Sequence, residues 1–401
     1  MSNLAADIAH ARPRVVAALA AHLRDLDAAE DAFAEAAEAC LTLDTPPDNP
    51  PAWLLTVAKR KAVDAIRRRQ AEERAADGAS LVNDVADIIQ LPEAIPDERL
   101  RLIFICCHPA LALEARAALA MKVICGLPVS AIAQVFVTGE ATMFQRITRA
   151  KAKIRDAGIA FELPPRKAWG ERLDAVLLTL ELAYTVAYQD AGGEVDAELS
   201  EEIARLAQMV ADLLPQEPEA LGLAALVWLA RSREAARVDA IGAMVPLSKQ
   251  DTSLWDRAAI ERARIWLDDA AVHAQSGPYQ IMAAIQLTHA RRAFDGVTDW
   301  YAMLALYDAL LALRPSAMVW LNRAMVVAKI EGAEAGLTAL EELPVDRLKS
   351  ARPYYAAKAE LLIQTGDREG AAQALDTALG LGPQSAERMF LERKRIELTG
   401  A

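Results

Sequence analysis

VSAIAQVFVTGEATMFQRITRAKAKIR, running from Val129 to Arg155, is the stretch on which the reading of this chain turns. Val129 to Val135 has the spacing of a short helix with Ile132, Ala133 and Phe136 turned inward. Val137, Thr138 and Gly139 break that pattern, and Gly139 is free to take the positive φ that a tight corner often needs. Glu140 opens a longer helix with its carboxylate in the first turn, where the helix dipole favours it. At about 100° per residue, Met143, Ile147, Ala150 and Ile154 share one apolar face. Thr142, Arg146, Arg149 and Lys153 form a second stripe about a quarter turn round, and Gln145 and Thr148 point outward. A narrow apolar seam with a rim of Arg, Lys, Thr and Gln suits a helix-turn-helix whose second helix enters the major groove of DNA. Arg and Gln carry the hydrogen-bonding forks that read base edges, while Lys and Arg at the margins meet phosphates. An ordinary amphipathic helix with a solvated basic face has the same pattern, and this stretch alone does not separate the two.

The rest of the composition agrees with helix. A length of 401 residues exceeds one typical core, so two or three domains are expected. Apolar residues make up 54% and aromatics only 5%, and the abundance of Ala and Leu favours an all-α fold class. Apolar runs are interrupted by charges well before the roughly 20 residues that span a bilayer. No charged leader with an apolar block and cleavage site opens the chain. A cytoplasmic location without membrane contact is therefore expected. The four cysteines, Cys40, Cys106, Cys107 and Cys125, are too few and too irregular for a disulfide framework. Cys106-Cys107-His108 with Cys125 lacks the paired spacing of a zinc site, so small buried side chains and no metal are expected.

A net charge of −12 argues against a nucleic-acid binder, but the charge is unevenly placed. Lys59, Arg60, Lys61, Arg67, Arg68 and Arg69 stand against only Asp64 in their segment. Arg146, Arg149, Lys151, Lys153 and Arg155 face no acid before Asp156. Counterion release at a few phosphates gives little affinity, so such a chain needs a partner to hold DNA.

In chain order, Val15 to Leu43 reads as two helices around Arg24-Asp25-Leu26-Asp27. The second repeats Asp27, Asp31, Glu35 and Glu38 at helical spacing, either a solvated acidic face or a docking face for a basic surface. Thr45 to Pro51, TPPDNPP, is a stiff connection. Ala52 to Gln70 forms an amphipathic helix with Leu54, Val57, Ala58, Ala62, Ala65 and Ile66 inward. Lys59, Arg60, Val63 and Arg67 lie opposite. Trp53, near the helix start, fits a core anchor better than a stacking platform, although a basic helix beside an aromatic ring also suits melting DNA. Ala71 to Pro96 reads as a linker, and Asp97 to Gly126 as two helices split at His108-Pro109.

AEDAFAEA (Ala29 to Ala36), PDNPPAWLLTVAKRKAVDAIRRR (Pro47 to Arg69) and RLRLIFICCHPALALEARAALAMKVICGL (Arg99 to Leu127), with the two helices that follow, together resemble a bacterial extracytoplasmic-function sigma factor. The resemblance is to the subgroup with a long C-terminal helical extension, and it covers essentially the whole chain. It implies a region 2 helical bundle over 1–70, a linker over 71–98, a region 4 helix-turn-helix over 99–160 and a repeat domain over 164–401. It further implies partners: core RNA polymerase, through its clamp helices and flap, and promoter DNA. By position, Asp27, Asp31, Glu35 and Glu38 fall on the polymerase-docking helix. Trp53, Lys59, Arg60 and Arg67 fall on the helix that recognises and melts the −10 element. Thr142, Gln145, Arg146, Arg149 and Lys153 fall on the −35 recognition helix. Ala34 stands where the family usually has Gln, and Gly139 where Ser or Pro is more usual.

The C-terminal part follows a different period. Tyr355, Leu362, Gly366, Ala371, Leu375, Ala378 and Pro383 fit a tetratricopeptide (TPR) repeat of about 34 residues. Trp320, Ala324, Val327, Gly336, Leu340 and Leu343 occupy matching places one period earlier, and Met303, Tyr307, Leu310 and Pro315 one more. A weaker copy ends near Pro215, and Gly222 to Val238 looks like the opening of another. Ile241 to Trp255 interrupts the period and reads as an irregular loop. Stacked repeats predict a TPR-like α-superhelix with a groove for a peptide, a protein or another part of this chain.

There is no Gly-rich phosphate loop, no His-Glu-x-x-His and no clear nucleophile site, so neither an enzyme nor a cofactor is expected. Two functions remain. One is a sigma factor that directs promoter-specific initiation with a regulatory or supporting extension. The other is a repeat-type interaction scaffold whose sigma-like half docks without promoter activity.

Overall fold

The computed structural model describes residues 4–23, 25–43, 45–77, 102–157, 159, 166–189, 197–342, 351–383 and 385–400. The regular elements among these residues are helices. The only β-type pairing among them is an isolated bridge between Val238 and Met244. The chain divides into two compact units, Met1–Ala183 and Tyr184–Ala401. No helix among the described residues is long and apolar enough to cross a membrane.

The first unit opens with three helices packed on one another: α1 (Leu4–Leu23), α2 (Leu26–Leu41) and α3 (Pro50–Asp77). Asp25 stops one helix and starts the next. Its carboxylate accepts hydrogen bonds from the Asp27 and Ala28 amides at 3.0 and 3.1 Å, satisfying donors that a helix start leaves orphaned. Pro50 and Pro51 open α3, where a missing amide hydrogen costs nothing, and the Asn49 side chain accepts from the Ala52 amide. Val16 to Ala20 of α1, Ala29, Phe33 and Ala36 of α2, and Leu54, Ala58 and Ala62 of α3 are buried together. The last of these helices runs on through Ala71 to Asp77, where the sequence reading placed a linker. Ala, Glu and Arg there have high helix propensity even without an apolar period. The rest of that linker and residues 97–101, where the sequence leads one to expect the next helix to begin, lie outside the described residues.

A second cluster in this unit comprises α4 (described over 102–106), α5 (Leu113–Val123), α6 (Val129–Val135) and α7 (Glu140–Asp156). Phe104, Leu119, Met121, Ile132 and Met143 are fully buried. The turn between the first two of these helices is held by Arg116, which donates to the Leu111 and Pro109 carbonyls at 2.7 and 2.8 Å. The corner between the last two departs from expectation. Gly139 has an ordinary φ of −74° and caps the following helix, while Val137 takes the left-handed conformation at φ 49°. Gly126, at φ 70°, lies in the loop between α5 and α6, and a Cβ there would meet the Pro13 Cγ at 2.8 Å. α8 (Gly170–Gln189) begins beside this cluster, where Arg172 donates to the Phe104 carbonyl at 2.7 Å and Trp169 stacks on Phe104.

The second unit is a succession of helices, most of them packed on the next in sequence: α9 (Ala197–Leu213), α10 (Pro218–Arg231), α11 (Arg257–Ala271), α12 (Pro278–Ala290), α13 (Arg292–Asp295) and α14 (Trp300–Leu313), then α15 (Ala317–Glu331), α16 (Ala333–Glu341), α17 (Arg352–Thr365), α18 (Arg368–Gly380) and α19 (Ser385–Thr399). Three buried clusters follow one another along it. Ile281, Ile285, Met303, Tyr307, Leu310 and Val326 form the first. Leu321, Ala324, Ala328, Leu340, Tyr354 and Leu361 form the next, and Ala359, Ala371, Leu375, Ala378 and Leu391 the last. Most of the residues that carry the expected period are buried, among them Met303, Tyr307, Leu310, Ala324, Gly336, Leu340, Ala371, Leu375 and Ala378; Trp320 is exposed, and Leu343 lies outside the described residues. The interruption at Ile241 to Trp255 is a loop with two short 3-10 turns, anchored by buried Trp255 under the Arg292 guanidinium.

Candidate functional site

Three surfaces carry the charged residues singled out in the sequence, all within the first unit. The first is on α3. Burial of Leu54, Ala58 and Ala62 fixes the helix rotation and turns Arg60 and Arg67 to solvent, with Lys59 and Trp53 at the half-buried flanks. Val57 and Ala65, expected inward, are also half-buried, and the Ile66 and Arg69 side chains lie outside the described residues. Beside the start of this helix, Ala11, Arg14, Val15, Asn49, Pro51, Ala52 and Leu55 line an apolar cavity of about 260 Å³.

The second surface is on α7. Met143, Ile147, Ala150 and Ile154 are all buried, which is what one helical face at this spacing requires. Thr142, Gln145, Arg149 and Lys153 are exposed side by side on the outer face. Arg149 reaches Gln145 at 3.5 Å, a contact long enough to leave both groups available to other partners. Arg146 differs from its neighbours. It is half-buried, 2.8 Å from Glu114 of α5 and over the ring of Phe136. Phe144, 61% exposed, joins this outer face and was not singled out in the sequence. Its signal was available, because it falls one helical turn before the outward-pointing Thr148.

The third surface is the acidic row of α2. Asp31, Glu35 and Glu38 are exposed, and Glu35 lies 3.4 Å from Lys61 of α3. Asp27 is placed differently. Lys151 Nζ and Arg155 Nη1, both on α7, lie 3.2 Å from its two carboxylate oxygens. Lys151 also pairs closely with Glu30, which in turn accepts from Arg12 at 2.8 Å. Burial opposes the charge on Lys151, but Glu30 and Asp27 outweigh it and hold its pKa above the ordinary lysine value. Glu30, Lys151 and Arg155 carried no assigned role in the sequence reading.

The four cysteine side chains are buried, and burial pushes Cys107 up to about 12, so it stays protonated. Among the described residues, no three His, Cys, Asp or Glu side chains gather where they hold a metal ion.

Comparison with known proteins bears on these surfaces. Residues 8–72, which span the acidic row of α2 and the basic row of α3, match Sigma-70 region 2. Residues 172–271 match a family of unknown function (DUF6596). The uncharacterized protein R00370 of Rhizobium meliloti (strain 1021) is 41% identical over 392 residues, covering 95% of this chain and 92% of the relative.

Proposed function

This chain belongs to one family with the Rhizobium meliloti protein and carries a sigma-70 region 2, and from that premise we propose that it is a promoter-selecting initiation factor of the extracytoplasmic-function type. The α2 row, Asp27, Asp31, Glu35 and Glu38, docks on core RNA polymerase. Lys59, Arg60 and Arg67 follow the backbone of the opening −10 element, with Trp53 stacking at the edge. The apolar cavity beside the start of α3 offers an unstacked base a dry slot. The α6–α7 pair acts as a helix-turn-helix, and Thr142, Gln145, Arg146, Arg149 and Lys153 meet the −35 element in the major groove. The second unit stacks as TPR-like repeats and regulates or supports the first. A cytoplasmic location follows from the proposed work on chromosomal DNA.

The observation that supports this best is the exposure of Arg60 and Arg67 on one helix and Gln145, Arg149 and Lys153 on another, while the opposite face of each helix is buried. Neither basic row alone neutralises enough phosphates for tight binding. A polymerase that presents both rows to one promoter supplies what the acidic chain lacks. Run-off transcription with purified core polymerase tests the reading: a promoter-dependent product absent with core alone is expected. A chain that binds core yet yields no such product from any promoter is a docking scaffold instead.

A further inference from the structure

The contact between α2 and α7 is built from charge. Lys151 sits between Asp27 and Glu30 with only 15% of its side chain exposed, and Glu30 is 18% exposed. Arg155 takes the second oxygen of Asp27, and Arg12 of α1 takes the outer oxygen of Glu30. Lys151 follows Thr142 by nine positions, about half a turn round the helix at 100° per residue. It therefore lies on the side away from Thr142, Arg149 and Lys153. The proposed DNA face stays open while the beginning of the acidic row is covered.

We propose that these ion pairs are a latch: α7 occupies Asp27 and Glu30 in the free chain, and core polymerase must displace it to dock on α2. This deepens the proposed function and rests on its assignment of the α2 row to polymerase. The chemistry of the junction favours a latch over a permanent seam. Among the described residues α1 packs on α5, whereas α2 and α7 are not a closely packed pair, and the hydrogen bonds described between them are these charged side chains. Ion pairs at a partly hydrated junction exchange for other ion pairs at little net cost, whereas a large apolar seam does not. A basic surface on the partner supplies replacement cations for Asp27, while Glu30 keeps Arg12 and both Lys151 and Arg155 return to water. The free chain then binds polymerase only through its unlatched fraction, and its apparent affinity is reduced by that fraction.

The test uses the full chain and substitutes none of the proposed DNA-reading or polymerase-docking residues. Zero-length carbodiimide coupling followed by mass spectrometry is expected to join Lys151 to Glu30 or Asp27 in the free protein and not in the polymerase complex. Lys151→Glu is expected to tighten core polymerase binding about 5- to 10-fold, and the swap Lys151→Glu with Glu30→Lys to return it towards the original value. Lys151→Gln replaces the first variant if its thermal melt falls below that of the parent. Absence of the cross-link in the free chain overturns the latch, as does full retention of it in the complex. So does unchanged or weaker binding by a well-folded Lys151 variant when the parent binds. If neither parent nor variant binds polymerase while the cross-link forms, the proposed function fails, and the gating role of the contact fails with it.

Discussion

Arg146 of α7 lies 2.8 Å from Glu114 of α5, yet the buried Nη1 that makes this approach has no aligned hydrogen bond. The pair is an ion pair by distance without the directed geometry that makes such contacts strong, and Glu114 is 65% exposed. Glu114→Ala is therefore expected to cost under about 1 kcal/mol of stability. Arg146→Ala should instead weaken binding of holoenzyme to −35 DNA by about 1–3 kcal/mol with core binding unchanged. Urea denaturation measures the first, and fluorescence anisotropy of both variants on native and scrambled −35 duplexes measures the second. Equal effects from the two substitutions would make Arg146 a structural tie rather than a reader.

Val137 holds a left-handed backbone with a β-branched side chain that is 92% exposed. An L residue in this region costs on the order of 1–2 kcal/mol, and the exposed isopropyl group has little packing to offset it. Val137→Asn keeps a side chain that tolerates this conformation and is expected to stabilise the protein by a few tenths to about 1 kcal/mol. Val137→Gly should gain less, because it also loosens the unfolded chain. Urea denaturation decides it, and a loss of stability in both variants would mean that the valine makes contacts worth more than its strain.

Gly336 is fixed by packing rather than by its own torsions. A Cβ at this position would stand 2.4 Å from the Ala328 Cβ and 3.1 Å from Leu361. Gly336→Ala is expected to destabilise the second unit by about 1–3 kcal/mol despite the better helix propensity of alanine. Ala328→Gly in the same chain should recover part of that loss. The readout is the thermal melting transition, and a rise in Tm for the single substitution would contradict the close approach.

His289 packs edge-on against Trp300, and burial with the Arg233 and Arg292 charges lowers its pKa to about 4. The unfolded chain takes up this proton near pH 6.5, where the folded chain does not. Stability is therefore fully present above about pH 6.5 and falls as pH drops towards 4, by on the order of 2 kcal/mol from this group. His289→Gln removes the titrating group and should flatten the pH dependence of urea midpoints between pH 7 and 5. A variant with the parental slope would assign that slope to carboxylates.

The helices that bear these side chains were legible because their signal is local. The seam Met143, Ile147, Ala150 and Ile154 appears as periodicity and is buried throughout, and of the inward set expected on α3 Leu54, Ala58 and Ala62 are buried while Val57 and Ala65 are half-buried. Two things were not legible. Composition assigns a positive φ to the nearest glycine, whereas Val137 takes it because the backbone of α6 closes early, with the Thr138 amide donating to the Ala133 carbonyl at 3.0 Å. The partners of Asp27 were also hidden, since nothing periodic in α2 names a lysine that only the tertiary fold brings near.

The long span between Asp27 and Lys151 also sets an order of events during synthesis. They stand 124 positions apart. At roughly 5–20 residues per second, a ribosome needs on the order of ten seconds to make what lies between them. The helices up to Asp77 emerge first, and throughout that interval Asp27 is without its α7 cations and Glu30 has Arg12 but not Lys151. A nascent chain is thus born receptive and becomes self-occupied only when its own later helix arrives.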